Sequence, residues 1–175
     1  MIEPASGNIL TDDAEALVNT VNCVGVMGKG IALQFKKAFP ENFKAYEAAC
    51  RRQEVKPGHM FVFESGEVFN PKYIINFPTK RHWRGKSRYE DIESGLKALV
   101  REVKNRNIRS VAIPPLGSGL GGLQWYRVKE LIEAAFEEMP DVQVKLYEPA
   151  NTPDAKDMPV GTPKPGMTVA RALLI

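Results

Sequence analysis

The sequence predicts one α/β domain, a layered sheet with helices on both of its faces. Three observations predict it. Short β-branched runs alternate with amphipathic helical stripes along the chain. Two glycine clusters each follow a strand-like run and precede a helical stripe. The chain has 175 residues, 43% apolar and 26% charged, which suits one globular domain whose core needs no staples.

The elements follow in order. An early strand runs into Gly7-Asn8-Ile9. Leu17–Asn22 (LVNTVN) is a β-rich run that enters the first glycine window, residues 25–30 (GVMGKG). Ile31, Phe35 and Phe39 lie four apart and predict a helix over Ile31–Phe39. Pro40 is placed to open a second helix, Pro40–Arg52, as its first residue. Met60–Phe63 and Tyr73–Phe77 read as strands around the turn Ser65–Gly66. Ser87 with Glu90 predicts a capping box for a helix reaching about Asn105, with Ile92, Leu96, Leu99, Val100 and Val103 inward. Ser110–Ile113 is a short buried strand that enters the second window, residues 117–122 (GSGLGG). Val128, Leu131, Ile132, Ala135, Phe136 and Met139 mark a further amphipathic helix, and Val142–Tyr147 a final strand.

After Tyr147 the character changes. Residues 148–175 hold five of the thirteen prolines and no aromatic residue, and 148–166 reads as a semi-extended linker. The last run, residues 168–175 (TVARALLI), turns apolar again. It is read either as the opening of a further domain or as a tail that docks on the sheet. The domain boundary is therefore expected at residues 1–148, with 149–175 as a Pro-rich tail.

Bulk properties remove several function classes. No stretch approaches the 18 apolar residues of a membrane span, and the N-terminus has no signal-peptide pattern. Cys23 and Cys50 cannot form a disulfide framework, and neither they nor His59 and His82 have zinc-ligand spacing, so no metal and no cofactor is expected. A cytoplasmic monomer that does not engage membranes is the expectation. A net charge of +3 permits an anionic partner without requiring one.

Seven of the fourteen glycines fall in the two windows. Glycine-rich turns free backbone N–H groups, and a helix N-terminus adds partial positive charge, so each window suits a phosphate. Two on one sheet suit a diphosphate; the plainer reading of either one is a tight strand-to-helix turn. Gly117-x-Gly119-x-x-Gly122 matches the dinucleotide fingerprint formally. It lies in the last βα unit, however, and the acidic residue about 20 positions on would be Glu137 or Glu138 at a helix end, so a nicotinamide oxidoreductase is disfavoured. The first window is no Walker loop, because Gly30 follows Lys29 where a Ser or Thr is needed for magnesium.

The early Gly7-Asn8-Ile9, the VNTVN strand before a glycine loop, and IPPLGSGLGGLQW together resemble the macrodomain family, which binds ADP-ribose. Phe69–Lys80 (FNPKYIINFPTK) before a basic loop, and Gly119–Trp125 (GLGGLQW), are similar to the DarG-type antitoxin branch and to terminal ADP-ribose protein glycohydrolases. The resemblance covers about residues 1–148. It implies a three-layer α/β/α fold with a mixed central sheet. It further implies hydrolysis of an ADP-ribosyl bond, the substrate in that branch being ADP-ribosylated thymidine in single-stranded DNA and the partner a DarT-like toxin. Alternatives are a reader that binds ADP-ribose without cleaving it, and a hydrolase of ADP-ribosylated protein.

Carried over, Asn8 stands where most macrodomains keep an Asp for the adenine amino group, with Ile9 beside it; an amide oxygen can still accept that hydrogen bond. Gly28, Lys29 and Gly30 with Gly117, Ser118, Gly119, Leu120 and Gly121 would hold the diphosphate, and Asn22 the distal ribose. Lys80 is the catalytic candidate, as nucleophile, acid/base group or electrostatic aid, with nucleophilic use requiring local desolvation. One departure bears on mechanism. The protein glycohydrolases keep an acid in this segment to release a lysine-linked intermediate, and Gly121 stands at that place. Either Lys80 works with Asn22 and water, or another group substitutes.

Lys80–Arg88 carries five cations around one tryptophan. Cations for phosphates beside an aromatic for base stacking are how single strands are held, so Arg81, His82, Trp83 and Arg84 are DNA-binding candidates. The plainer reading is a solvated basic loop. Trp125 reads as core or pocket wall, His59 as structural, and nothing around Cys23 suggests an activated thiolate.

Overall fold

The computed structural model describes residues 1–149, so the expectations for the proline-rich tail beyond Pro149 lie outside the described residues. Six strands are defined: β1 (Ile2–Ala5), β2 (Ala16–Val21), β3 (Phe61–Glu64), β4 (Tyr73–Pro78), β5 (Ser110–Ile113) and β6 (Gln143–Tyr147). Four α-helices accompany them: α1 (Gly30–Ala38), α2 (Pro40–Arg51), α3 (Tyr89–Asn105) and α4 (Trp125–Ala135).

The strands form one sheet in the order β1-β6-β5-β2-β4-β3. All neighbours are parallel except β3, which pairs antiparallel with β4 through a hairpin connection. The sheet is therefore mixed, as expected.

The two-residue period of β2 sorts the layers. Ala16 and Val18 point into the larger core with α3 and α4, together with Phe77, Leu99, Ile113 and Val128. Leu17 and Val21 point to the opposite face, into the clusters formed with Phe35 of α1 and Tyr46 of α2. That is the three-layer α/β/α arrangement. Parallel strands buried on both faces need nearly continuous apolar runs, and YIINFP of β4 supplies one. Asn76 interrupts it. Its amide is satisfied by Asn42 of α2 at 2.8 Å and by the Phe61 carbonyl at 3.1 Å, which ties α2 to the sheet.

Three local expectations are corrected. Asn8 ends no strand: β1 stops at Ala5, and a 3-10 turn over Ile9–Thr11 follows, capped by Asn8 Oδ1 accepting from Leu10 N at 3.0 Å. The Ser87–Glu90 capping box does not form. Helix α3 opens at Tyr89 with Arg88 as N-cap and no side-chain cap bond. The Ser87 N–H donates instead to the Gly121 carbonyl at 3.1 Å, which turns the residue toward the second glycine window and away from the helix. Helix α4 also ends at Ala135, short of Met139.

Candidate functional site

The C-terminal ends of parallel strands are where α/β sheets open crevices, because the strand-to-helix loops splay apart there. A cavity of about 430 Å³ lies at that edge, within the usual range for small-molecule sites. Three connections line it. The first, after β2, contributes Asn22, Val26 and Gly28–Ala32; the second, after β4, contributes Thr79, Lys80 and Trp83; the third, after β5, contributes Pro114, Pro115, Gly117 and Gly119–Gly121.

Both glycine windows thus share one cavity, and Lys80 lines it from the connection after β4. Helix α1 begins at Gly30 with no side-chain cap bond at its N-cap, Lys29, so its first N–H groups and positive dipole end open toward the cavity.

The electrostatics point the same way. Burial first, then the neighbouring ammoniums of Lys86 and Lys29, holds the Lys80 ammonium below the ordinary lysine value. Among the described residues no carboxylate forms an ion pair with any of the three lysines. Three cations without anions around a cavity lined by glycine backbone make a site for a polyanion.

Asn22 is buried and its amide organises the first loop. Nδ2 donates to the Val26 carbonyl at 2.8 Å, while Oδ1 accepts from Val24 N at 3.1 Å and Val26 N at 3.3 Å. Burial pushes the thiol of Cys23, the residue that follows, up to about 11, away from an activated thiolate.

The basic loop is anchored at both ends. The Arg81 guanidinium grips Asp91 of α3 through two hydrogen bonds at 3.1 and 3.2 Å, and Ser87 bonds Gly121. Between these anchors Trp83 lines the cavity while remaining 43% exposed. His82 stacks on its ring at 5.3 Å and the Arg84 guanidinium lies 4.5 Å over it.

The structure therefore brings together Asn22, Gly28, Lys29, Gly30, Lys80, Trp83, Gly117, Gly119, Leu120 and Gly121. It places other candidates apart. Asn8 is exposed and Ile9 is buried in the core, and neither lines the cavity. Ser118 turns its hydroxyl to the Leu116 carbonyl at 3.3 Å. His82 and Arg84 pack on Trp83 outside the lining, and Arg81 is committed to Asp91. Trp125 packs against the larger core, and exposed His59 bonds the Pro57 carbonyl. Sequence reasoning missed Lys86, which it counted only as one charge of the loop, and Tyr46, whose hydroxyl reaches Asn22.

The family model for the Macro domain matches residues 18–132, which spans β2 through most of α4. The chain belongs to the macro domain family.

This macrodomain is 51% identical over 175 residues to a DNA ADP-ribosyl glycohydrolase of Thermus aquaticus, covering 100% of this chain and 49% of that protein. The chain thus spans about half the length of the curated relatives it matches. Among solved structures it is similar to the macrodomain of Mycobacterium tuberculosis DarG, at 56% identity and a TM-score of 0.85, over 86% of this chain and 99% of that one. It is also similar to Thermosipho africanus DarTG in complex with ADP-ribose, at 34% identity and a TM-score of 0.77, over 84% of this chain and 41% of that one.

Proposed function

We propose that this macrodomain hydrolyses the N-glycosidic bond between ADP-ribose and a thymine base in single-stranded DNA. In that role it acts as the antitoxin to a DarT-like DNA ADP-ribosyltransferase. The observation that carries the reading is Lys80: it lines the same cavity as both glycine windows and the rim tryptophan.

The reading assigns each part a task. The windows and the α1 N-terminus take the diphosphate, with Lys29 and Lys86 supplying charge. Asn22 faces the distal ribose. Hydrolysis breaks the bond from ribose C1″ to the base nitrogen; the oxygen of water ends on C1″ and its proton on the released base. Lys80 assists where that charge develops, either as an ammonium beside the departing base or as an amine at C1″. Trp83, braced by His82 and Arg84, offers a stacking face for a neighbouring base of the strand. The names of the relatives, a DNA ADP-ribosyl glycohydrolase and a transferase–glycohydrolase fusion protein, agree with this choice of substrate and partner.

The test is release of ADP-ribose from a modified oligonucleotide and from a modified protein, by wild type and by Lys80→Ala. Release from the oligonucleotide by wild type alone is the expected result. Binding of ADP-ribose with no release from either substrate would make the domain a reader. Release from the protein alone would replace the DNA substrate.

A further inference from the structure

The amide of Asn22 can take only one orientation. Two backbone N–H groups, of Val24 and Val26, point at Oδ1, and a carbonyl, of Val26, faces Nδ2. Flipping the amide would set donor against donor and acceptor against acceptor.

A third donor joins them from α2. The Tyr46 hydroxyl lies 2.7 Å from Asn22 Oδ1 and 2.9 Å from the Asn22 carbonyl oxygen. Tyr46 is fully buried, and burial, with Cys50 beside it, pushes its hydroxyl far above the usual tyrosine range, so it remains a donor at every working pH. A hydroxyl has one hydrogen, and the shorter contact, 2.7 Å, assigns it to Oδ1, so Asn22 Oδ1 is met by three donors, two of backbone and one of side chain. A carbonyl oxygen has two lone pairs, and none is left for a water in the cavity. What the amide has left is the second hydrogen on Nδ2.

We propose that Tyr46 is a positioning residue that, together with the Val24 and Val26 N–H groups, holds Asn22 as a hydrogen-bond donor toward the substrate and keeps its Oδ1 from accepting a hydrogen bond from the attacking water. This rests on the hydrolase reading above. It narrows the mechanism, since the proton of the attacking water goes to a group other than Asn22.

The experiment is a double-mutant cycle in the full chain, with Tyr46→Phe, Asn22→Ala and the pair, read by release kinetics and by the side-chain amide resonances of Asn22. The expected result has three parts. Tyr46→Phe lowers kcat about five- to tenfold, the size of one neutral hydrogen bond, with KM within about twofold. The same change in the Asn22→Ala background lowers kcat no further. The Asn22 amide pair, identified by its loss in Asn22→Ala, moves on adding ADP-ribose to wild type and moves again in Tyr46→Phe. Equal drops in both backgrounds would overturn the proposal, because a residue that only supports the fold acts independently of Asn22. An Asn22 pair indifferent to Tyr46→Phe would overturn it as well. If wild type binds ADP-ribose but releases none, the hydrolase reading fails while the resonances still decide the orientation. If Tyr46→Phe does not fold, the wild-type spectrum decides: a slowly exchanging tyrosine hydroxyl proton close to the Asn22 amide pair supports the proposal, and its absence overturns it.

Discussion

The Ser87 hydroxyl occupies the space into which a side chain on Gly121 would grow. A Cβ at that position would meet Ser87 Oγ and, at 2.5 Å, the Gly117 carbonyl oxygen. The glycine that stands where the similar protein glycohydrolases keep an acid is thus required by packing in this chain. Ser87 Oγ is itself buried without a hydrogen-bond partner, so the contact is steric.

Gly121→Asp is expected to destabilise the fold by about 1–3 kcal/mol through overpacking and to lower release of ADP-ribose rather than raise it. Ser87→Gly in the same chain should restore only part of the loss, because the Gly117 carbonyl remains in the way. Urea unfolding midpoints of the two variants check this. A stable Gly121→Asp protein would mean that the loop opens at little cost.

Lys80 ties activity to pH. Its ammonium is held below the ordinary lysine value by burial and then by Lys86 and Lys29, so it loses its proton at a lower pH than a free lysine. Lys86→Met removes one cationic neighbour and raises the Lys80 value again. The inflection of the pH–rate profile should therefore move to higher pH in Lys86→Met. The slope identifies the chemistry: activity that rises through the inflection requires the amine, and activity that falls requires the ammonium.

The same shift bears on stability, with a defined sign. A lysine whose value is lowered on folding penalises the folded state at pH below the folded value, and the penalty fades as pH rises through that value toward the unfolded one. Lys80→Met is expected to leave Tm unchanged or raise it near neutral pH while abolishing release, and the difference in Tm should shrink in alkaline buffer. A fall in Tm at neutral pH would assign Lys80 a structural role.

Much of the fold was legible because the determinants are local. Residues 17–21 and 110–113 are β-branched enough to be strands, and the stripe from Ile92 to Val103 is long enough to be a helix. What failed depended on distant partners. Ser87 has the chemistry of a cap, but its N–H is claimed by Gly121, 34 positions on. Arg81 reads as a free cation until Asp91 is folded beside it. Tyr46 is not singled out by the sequence, because nothing near it reveals that its hydroxyl meets Asn22.

The pairing of Arg81 sharpens what the basic loop should do. Arg84 makes no ion pair among the described residues and rides on Trp83, whereas Arg81 is tied to Asp91. For modified single strands, Arg84→Ala should reduce the slope of log affinity against log salt by about 0.7, the value of one phosphate contact, and Arg81→Ala should reduce it less. Trp83→Ala should cost about 1–3 kcal/mol in oligonucleotide binding, more than it costs in binding free ADP-ribose. Equal slopes for all three variants and wild type would remove the strand from this loop.

Two glycines of the second window separate backbone need from ligand need. Gly117 has φ +67°, and a Cβ there would lie 2.9 Å from Leu123 and 3.0 Å from Ser87. Gly119 has no such φ and nothing within 4 Å of an added Cβ, yet it lines the cavity. Gly117→Ala should therefore cost about 1 kcal/mol or more of folding stability, since an L-residue is strained there and has no room. Gly119→Ala should stay within about 0.5 kcal/mol of wild type, as surface changes do. Its effect belongs in binding: a methyl pointing into the space of the diphosphate should weaken ADP-ribose at least tenfold by calorimetry. Full affinity in Gly119→Ala would show that the ligand's phosphates do not approach this backbone, and the second window would then be only a turn.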